Sequence, residues 1–151
     1  MINTTGAIGY FQRAIALDLL PPVPALSAHP WIRFPETDKD PEQVLELFEI
    51  QDKSRNTRAA ARAFDIPFER IVIMGDSGGD GPHFQWGESV GAFLIGSMTK
   101  HSLESYCRDK GIRIDHRIGP TYRPGDSTDI EREMGVDFSE LISVIKAHLG
   151  L

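Results

Sequence analysis

Hydrophobic and polar residues form blocks along the chain that predict helices and strands in turn. Apolar residues spaced three to four positions apart predict helices over residues 8–19, 40–48, 54–64, 102–110 and 138–149. Short apolar runs predict strands over residues 1–5, 25–34, 70–74, 90–98 and 112–118. Residues 119–135 are rich in Pro, Gly and Asp, which predicts a long loop. Strands that alternate with helices are typical of an α/β fold with a mostly parallel sheet.

Length, charge and cysteine content restrict the class of protein further. A chain of 151 residues indicates a single domain with a core of its own. Its 22 acidic and 16 basic residues give a net charge of −6, which argues against general binding to nucleic acid. One cysteine cannot form an internal disulfide, and neither a membrane span nor a signal peptide is visible. We therefore expect a cytoplasmic protein with no nucleic-acid or membrane partner.

The residues with the clearest chemistry follow the predicted strand over residues 70–74. They form the segment GDSGGDG, residues 75–81, with carboxylates at Asp76 and Asp80. Ligands bind at the carboxyl ends of strands in open α/β sheets, and glycines let the backbone turn sharply enough for both carboxylates to face one point. Hard carboxylate oxygens suit Mg²⁺ as ligands. Water and a phosphate would complete its coordination shell. The alternative is an acidic surface turn whose Asp residues only cap the next helix.

Two enzyme families share part of this segment and are rejected. Trypsin-like proteases carry GDSGG around their nucleophile, but they are all-β and have proline where Asp80 stands here. SGNH esterases begin with a strand and Gly-Asp-Ser, but they need a later Gly-x-Asn-Asp block and a terminal Asp-x-x-His block. The only asparagines here are Asn3 and Asn56, and Asp-x-x-His occurs only at residues 80–83.

Three segments together resemble the haloacid dehalogenase-like (HAD) superfamily. Residues 70–81 are similar to its fourth motif, a strand followed by Gly-Asp and a second acid three or four residues later. Lys53 resembles the third-motif lysine at the start of the preceding helix. Thr5, directly before Gly6, resembles the second-motif residue at the end of a strand, with Thr4 as second choice. The resemblance extends over about residues 1–115 and implies a Rossmann-like three-layer α/β/α fold.

The first motif of that family, Asp-x-Asp-x-Thr or Asp-x-Asp-x-Val after a strand, has no counterpart in the 151 residues. Residues 38–40 have the Asp spacing without a strand directly before them, and residues 126–129 lie in the predicted loop. Because this motif precedes the second motif in the family, we expect an N-terminally truncated single core domain that lacks its first strand. Two neighbouring strand edges would stay unpaired, which predicts a homo-oligomer or strand-swapped association.

The resemblance implies a Mg²⁺-dependent phosphohydrolase that acts on a small phosphorylated metabolite. Asp76 would hold Mg²⁺, and Asp80 would be a second ligand or would orient the first. Lys53 would stabilise charge on the phosphate, and Thr5 would donate a hydrogen bond to a phosphate oxygen. Since the nucleophilic Asp and the general acid are missing, we expect no turnover by the isolated chain. The alternative is a non-catalytic HAD-like module that binds metal and phosphate, or a partner.

Overall fold

A computed structural model describes residues 1–4, 9–23, 25–27 and 53–151. The chain divides into two compact units, Met1–Asp65 and Ile66–Leu151, and each is described by itself. The expectation of a single domain stays a prediction. Thr5, the helix predicted over residues 40–48 and the Asp pair of residues 38–40 lie outside the described residues. Within the described parts, no helix is both long and apolar enough to cross a membrane.

The first unit is built around two short parallel strands. Its elements are β1 (Ile2–Thr4), α1 (Gly9–Ala16), β2 (Ala25–Ser27) and α2 (Lys53–Ala63). Ile2 of β1 is level with Ala25 of β2. Helix α2 is rich in alanine, the best helix former, and packs against β1 with Asn56, Thr57 and Ala61 buried.

The second unit contains a three-stranded parallel sheet with the strand order β3-β4-β5. Its elements are β3 (Val72–Gly75), α3 (Gly81–Ser89), β4 (Phe93–Ser97), α4 (His101–Lys110), β5 (His116–Ile118), α5 (Ile130–Met134) and α6 (Ser139–Leu149). Gly75 at the end of β3 is level with Gly96 near the end of β4. The carboxyl ends of these two strands therefore meet at one edge of the sheet.

Alternate side chains of the sheet enter two separate cores. Leu94 of β4 is buried with Phe84 of α3 and Leu103 of α4. Its neighbour Ile95 is buried with Leu141 of α6. Since consecutive strand residues point to opposite faces, the sheet of this unit has α3 and α4 on one face and α6 on the other. The prediction of an α/β fold with parallel strands is confirmed.

Element boundaries differ from the predicted ones where turns intervene. Strand β3 begins later than predicted because residues Phe68–Arg70 form a short 3₁₀ turn. Strand β4 begins only at Phe93 because α3 runs to Ser89 and Gly91 follows it with a φ of +75°. The prediction of a continuous loop over residues 119–135 is wrong at α5.

Helix α5 forms there because Asp129 caps it, its side chain accepting a hydrogen bond from the Arg132 backbone N–H. Residues 119–129 contain neither helix nor strand, as predicted. Strand pairings seen among the described residues join β1 to β2, β3 to β4 and β4 to β5. The predicted association between copies stays a prediction.

Candidate functional site

The turn after β3 is held together by the side chains of Ser77 and Asp80. Residues Gly78–Asp80 form a 3₁₀ turn that leads directly into α3. Asp80 Oδ2 accepts hydrogen bonds from the backbone N–H groups of Asp76 at 3.0 Å and Ser77 at 3.3 Å. The Ser77 side chain accepts in return from the Asp80 N–H, which completes a capping box. Asp80 is only 5% exposed, so this carboxylate shapes the turn from inside.

Gly75 makes room for that carboxylate. A Cβ added at Gly75 would lie 2.7 Å from the Asp80 side chain, closer than atoms in contact can approach. Within the turn, the Gly78 N–H donates to Ser102 Oγ of α4 at 2.9 Å. The turn is therefore fixed on one side by Asp80 and on the other by α4.

Asp76 has a different environment, because its side chain is about half exposed, at 46%. Its Oδ2 lies 3.0 Å from the ammonium nitrogen of Lys100, and its backbone oxygen accepts from the Lys100 N–H at 2.7 Å. The hydrogen bond and the charge of Asp76 raise the pKa of Lys100, which keeps the ammonium charged. A carboxylate and a cation thus lie side by side at the carboxyl edge of the sheet.

The segment after β5 reaches the same edge. The Tyr122 N–H donates to the Thr99 carbonyl at 2.8 Å, and the hydroxyls of Thr99 and Thr121 lie 3.3 Å apart. The negative charge of Glu133 also contributes to the raised pKa of Lys100. The segment after β5 is therefore joined to Thr99, the residue directly before Lys100.

The first unit brings two further motif regions together. Asn3 of β1 donates from Nδ2 to the Lys53 carbonyl oxygen at 2.8 Å and to Thr57 Oγ1 at 3.2 Å. Asn56 returns a hydrogen bond to Asn3 Oδ1 at 3.3 Å. The strand that ends at Thr4 is thereby tied to the helix that begins at Lys53.

The predicted site residues fall into two groups. Asp76 and Asp80 are neighbours in the second unit, whereas Lys53 and Thr4 belong to the first unit. Thr5 lies outside the described residues. The predicted meeting of Lys53 and Thr5 with Asp76 around one phosphate stays a prediction.

The candidate donors for Mg²⁺ at this edge of the sheet are the carboxylates of Asp76 and Asp80. Mg²⁺ is commonly held by one or two carboxylates, with water and substrate phosphate filling its other positions. Asp76 offers one half-exposed carboxylate, and a metal ion there would compete with the ammonium of Lys100. Asp80 directs one oxygen to two backbone N–H groups, which favours its orienting role over direct ligation. Over the described ranges, no group of three or more His, Cys, Asp or Glu residues is placed to hold a metal ion.

The sequence patterns missed two residues, Lys100 in the second unit and Asn3 in the first. Lys100 lies shortly after β4, which ends at Ser97, and the rule about carboxyl ends of parallel strands is the signal that could have indicated it. Asn3 had no comparable signal, because its role depends on α2 packing beside β1.

A shallow groove of about 320 Å³ lies elsewhere, at the start of β4. Arg113 and Asp115 in its lining form an ion pair, and Glu88 accepts a hydrogen bond from the Arg113 backbone N–H. Its position at the amino end of β4 separates it from the Asp76–Lys100 pair. It therefore contributes nothing to the candidate site.

No protein-family model, no curated protein and no solved structure matches this chain.

Proposed function

We propose that the chain is a HAD-like, Mg²⁺-dependent phosphohydrolase of the phosphomonoesterase type with a Rossmann-like three-layer fold. The observation that carries the proposal is the half-exposed Asp76 carboxylate at the carboxyl end of β3, with Asp80 bonded to its backbone and a cation 3.0 Å away. The parallel sheet with helices on both faces supports the proposal, because ligands of such sheets bind at this edge.

Each residue has a distinct part in this proposal. Asp76 would hold Mg²⁺, which when bound neutralises phosphate oxygens. Asp80 accepts a hydrogen bond from the Asp76 N–H and so fixes the backbone from which the Asp76 carboxylate extends. Lys53, at the start of α2, would stabilise negative charge on a phosphate, and Thr5 would donate to one of its oxygens.

The same sequence limits what the 151 residues do by themselves. They contain no Asp-x-Asp-x-Thr or Asp-x-Asp-x-Val segment to attack phosphorus and protonate the leaving group. The chain as printed would therefore bind Mg²⁺ and phosphate without turnover. This favours, as second candidate, a non-catalytic HAD-like module that binds metal and phosphate or a partner.

Calorimetric titration with MgCl₂ tests the metal site. Wild-type chain should bind Mg²⁺ weakly, and Asp76→Asn should abolish binding while it preserves the shape of the side chain. Asp109→Asn is the matched control, because Asp109 is an exposed acid on α4 with a side chain 69% exposed. Equal binding by wild type and Asp76→Asn would refute the assignment of Asp76.

Turnover separates the two candidates. The purified chain should leave p-nitrophenyl phosphate intact in the presence of Mg²⁺, because loss of a nucleophile commonly costs several orders of magnitude in rate. An added upstream strand that ends in Asp-x-Asp should restore hydrolysis if the chain is a phosphohydrolase core, and Asp76→Asn should then remove it. Continued inactivity of a folded, Mg²⁺-binding extended chain would favour the non-catalytic module.

A further inference from the structure

The contact between Asp76 and Lys100 has two separable parts. The Lys100 backbone N–H donates to the Asp76 carbonyl oxygen at 2.7 Å, which ties the start of α4 to the end of β3. The ammonium contacts Asp76 Oδ2 at 3.0 Å through a side chain that is 45% exposed. The backbone contact does not require the ammonium to stay where it is.

The side-chain part of this contact opens at little cost. Ion pairs between exposed side chains are weak, because water solvates both charges when they separate. Lysine carries its charge on a flexible four-carbon stem, so the ammonium can move by several ångströms while its backbone stays fixed. Lys100 is therefore suited to exchange one anionic partner for another.

A divalent cation at Asp76 would force this exchange. It would take up the same carboxylate that the ammonium contacts, and two cations a few ångströms apart repel each other. The ammonium would then need another anion. Lys100 directly precedes α4, at an edge of the sheet where the amino end of that helix adds a positive field favourable to anions.

We propose that Lys100 is a phosphate-binding residue whose ammonium is displaced from Asp76 by a divalent cation and then binds a phosphoryl oxygen. This inference rests on the proposed function and adds a second lysine to the one that the sequence motifs indicated. It also links the two ligands, since cation binding at Asp76 frees the residue that holds the phosphate. Lys100 would thereby bind a phosphorylated substrate better once a cation occupies Asp76.

Glu133 is the competing partner for the freed ammonium. Its charge contributes to the raised pKa of Lys100, so it lies within electrostatic reach of that side chain. If Glu133 captured the ammonium, phosphate would gain nothing from Lys100. Glu133→Gln should therefore leave phosphate binding unchanged or strengthen it.

The test uses Lys100→Met with two calorimetric titrations, one with MgCl₂ and one with inorganic phosphate at saturating Mg²⁺. Removal of the competing ammonium should strengthen Mg²⁺ binding about two- to fivefold, the range for an exposed ion pair. Removal of a charged donor should weaken phosphate binding about tenfold or more. Lys110→Met, at the far end of α4, removes the same charge and should change neither affinity beyond a small general effect.

Opposite changes in affinity for Mg²⁺ and for phosphate in Lys100→Met distinguish this role from a structural one. Weaker binding of both ligands by Lys100→Met would mean that the residue only supports the turn, and unchanged Mg²⁺ or phosphate binding would also overturn the inference. Lys100→Arg keeps the charge and should retain phosphate binding. Absence of Mg²⁺ binding by the wild type would refute the proposed function as well. If the wild type binds Mg²⁺, Asp76→Asn does not, and Lys100→Met binds both ligands as the wild type does, this inference alone is refuted.

Discussion

The ammonium of Lys100 lies 3.0 Å from Asp76 Oδ2, and the backbone of the same two residues is joined by a hydrogen bond of 2.7 Å. This relationship links the end of β3 to the start of α4 across the carboxyl edge of the sheet. The Lys100 ammonium thus lies beside the carboxylate of Asp76, which the sequence motifs predicted as a metal ligand. The stability of the turn that positions Asp76 can be tested separately from ligand binding.

Asp80→Ala should destabilise the protein by about 1–3 kcal/mol, because the N–H groups of Asp76 and Ser77 lose a shared acceptor inside the fold. Urea unfolding at pH 7, followed by circular dichroism, measures the free energy of unfolding. Asp109→Ala, at an exposed position of α4, should change it by no more than about 0.5 kcal/mol. Similar values for the two variants would show that the Asp80 hydrogen bonds contribute little.

Two nearby glycines should respond differently to alanine. A Cβ at Gly81 would lie 2.5 Å from the Tyr106 ring, so Gly81→Ala should cost about 1–3 kcal/mol through overpacking. A Cβ at Gly79 would meet nothing closer than Ser77 Oγ at 3.9 Å, so Gly79→Ala should be tolerated. Thermal unfolding of both variants checks the difference. Equal losses would mean that α3 and α4 are not packed as described.

The pair formed by Glu104 and Arg117 should make stability depend on acidity. Arg117 donates from Nε and Nη2 to the two carboxylate oxygens at 2.9 and 3.1 Å, and this contact lowers the pKa of Glu104 below 4.5. The unfolded chain therefore binds this proton at a higher pH than the folded chain does. The resulting stabilisation is present above pH 4.5 and is lost as the pH falls through the lower pKa of the folded state.

Glu104→Gln isolates this effect. The variant should be less stable than the wild type at pH 7, and the difference should shrink as the pH falls to about 3. Urea midpoints at several pH values measure it, with Glu131→Gln on the exposed face of α5 as the control. A constant difference between Glu104→Gln and the wild type at every pH would contradict the electrostatic explanation.

The thiol of Cys107 should be unreactive in the folded protein. Cys107 lies on α4 within the core and is only 2% exposed, and burial raises its pKa to about 11. Since the thiolate is the reactive form, Ellman's reagent at pH 8 should react slowly with native protein and reach one equivalent in urea. Cys107→Ala provides the blank. Rapid reaction of the native protein would place the thiol at the surface.

The order of the described elements other than α5, and the sharp turn after β3, were predictable from the sequence. Apolar runs separated by amphipathic blocks predicted parallel strands with helical connections. This works because the spacing of apolar residues within a segment reflects whether that segment is a helix or a strand. The GDSGGDG segment predicted a sharp acidic turn for the same local reason. A 3₁₀ turn at residues Phe68–Arg70 delayed the start of β3, and a helix capped by Asp129 formed within the predicted loop.

The partners of the site residues depended on the tertiary structure. Lys100 meets Asp76 because β3 and β4 are adjacent and parallel, with Gly75 level with Gly96, and no local pattern specifies that register. Asp80 faces the backbone because Gly75 has no Cβ to exclude it. Local sequence determined which residues stand at the ends of strands, whereas the packing of distant segments decided which of those residues touch.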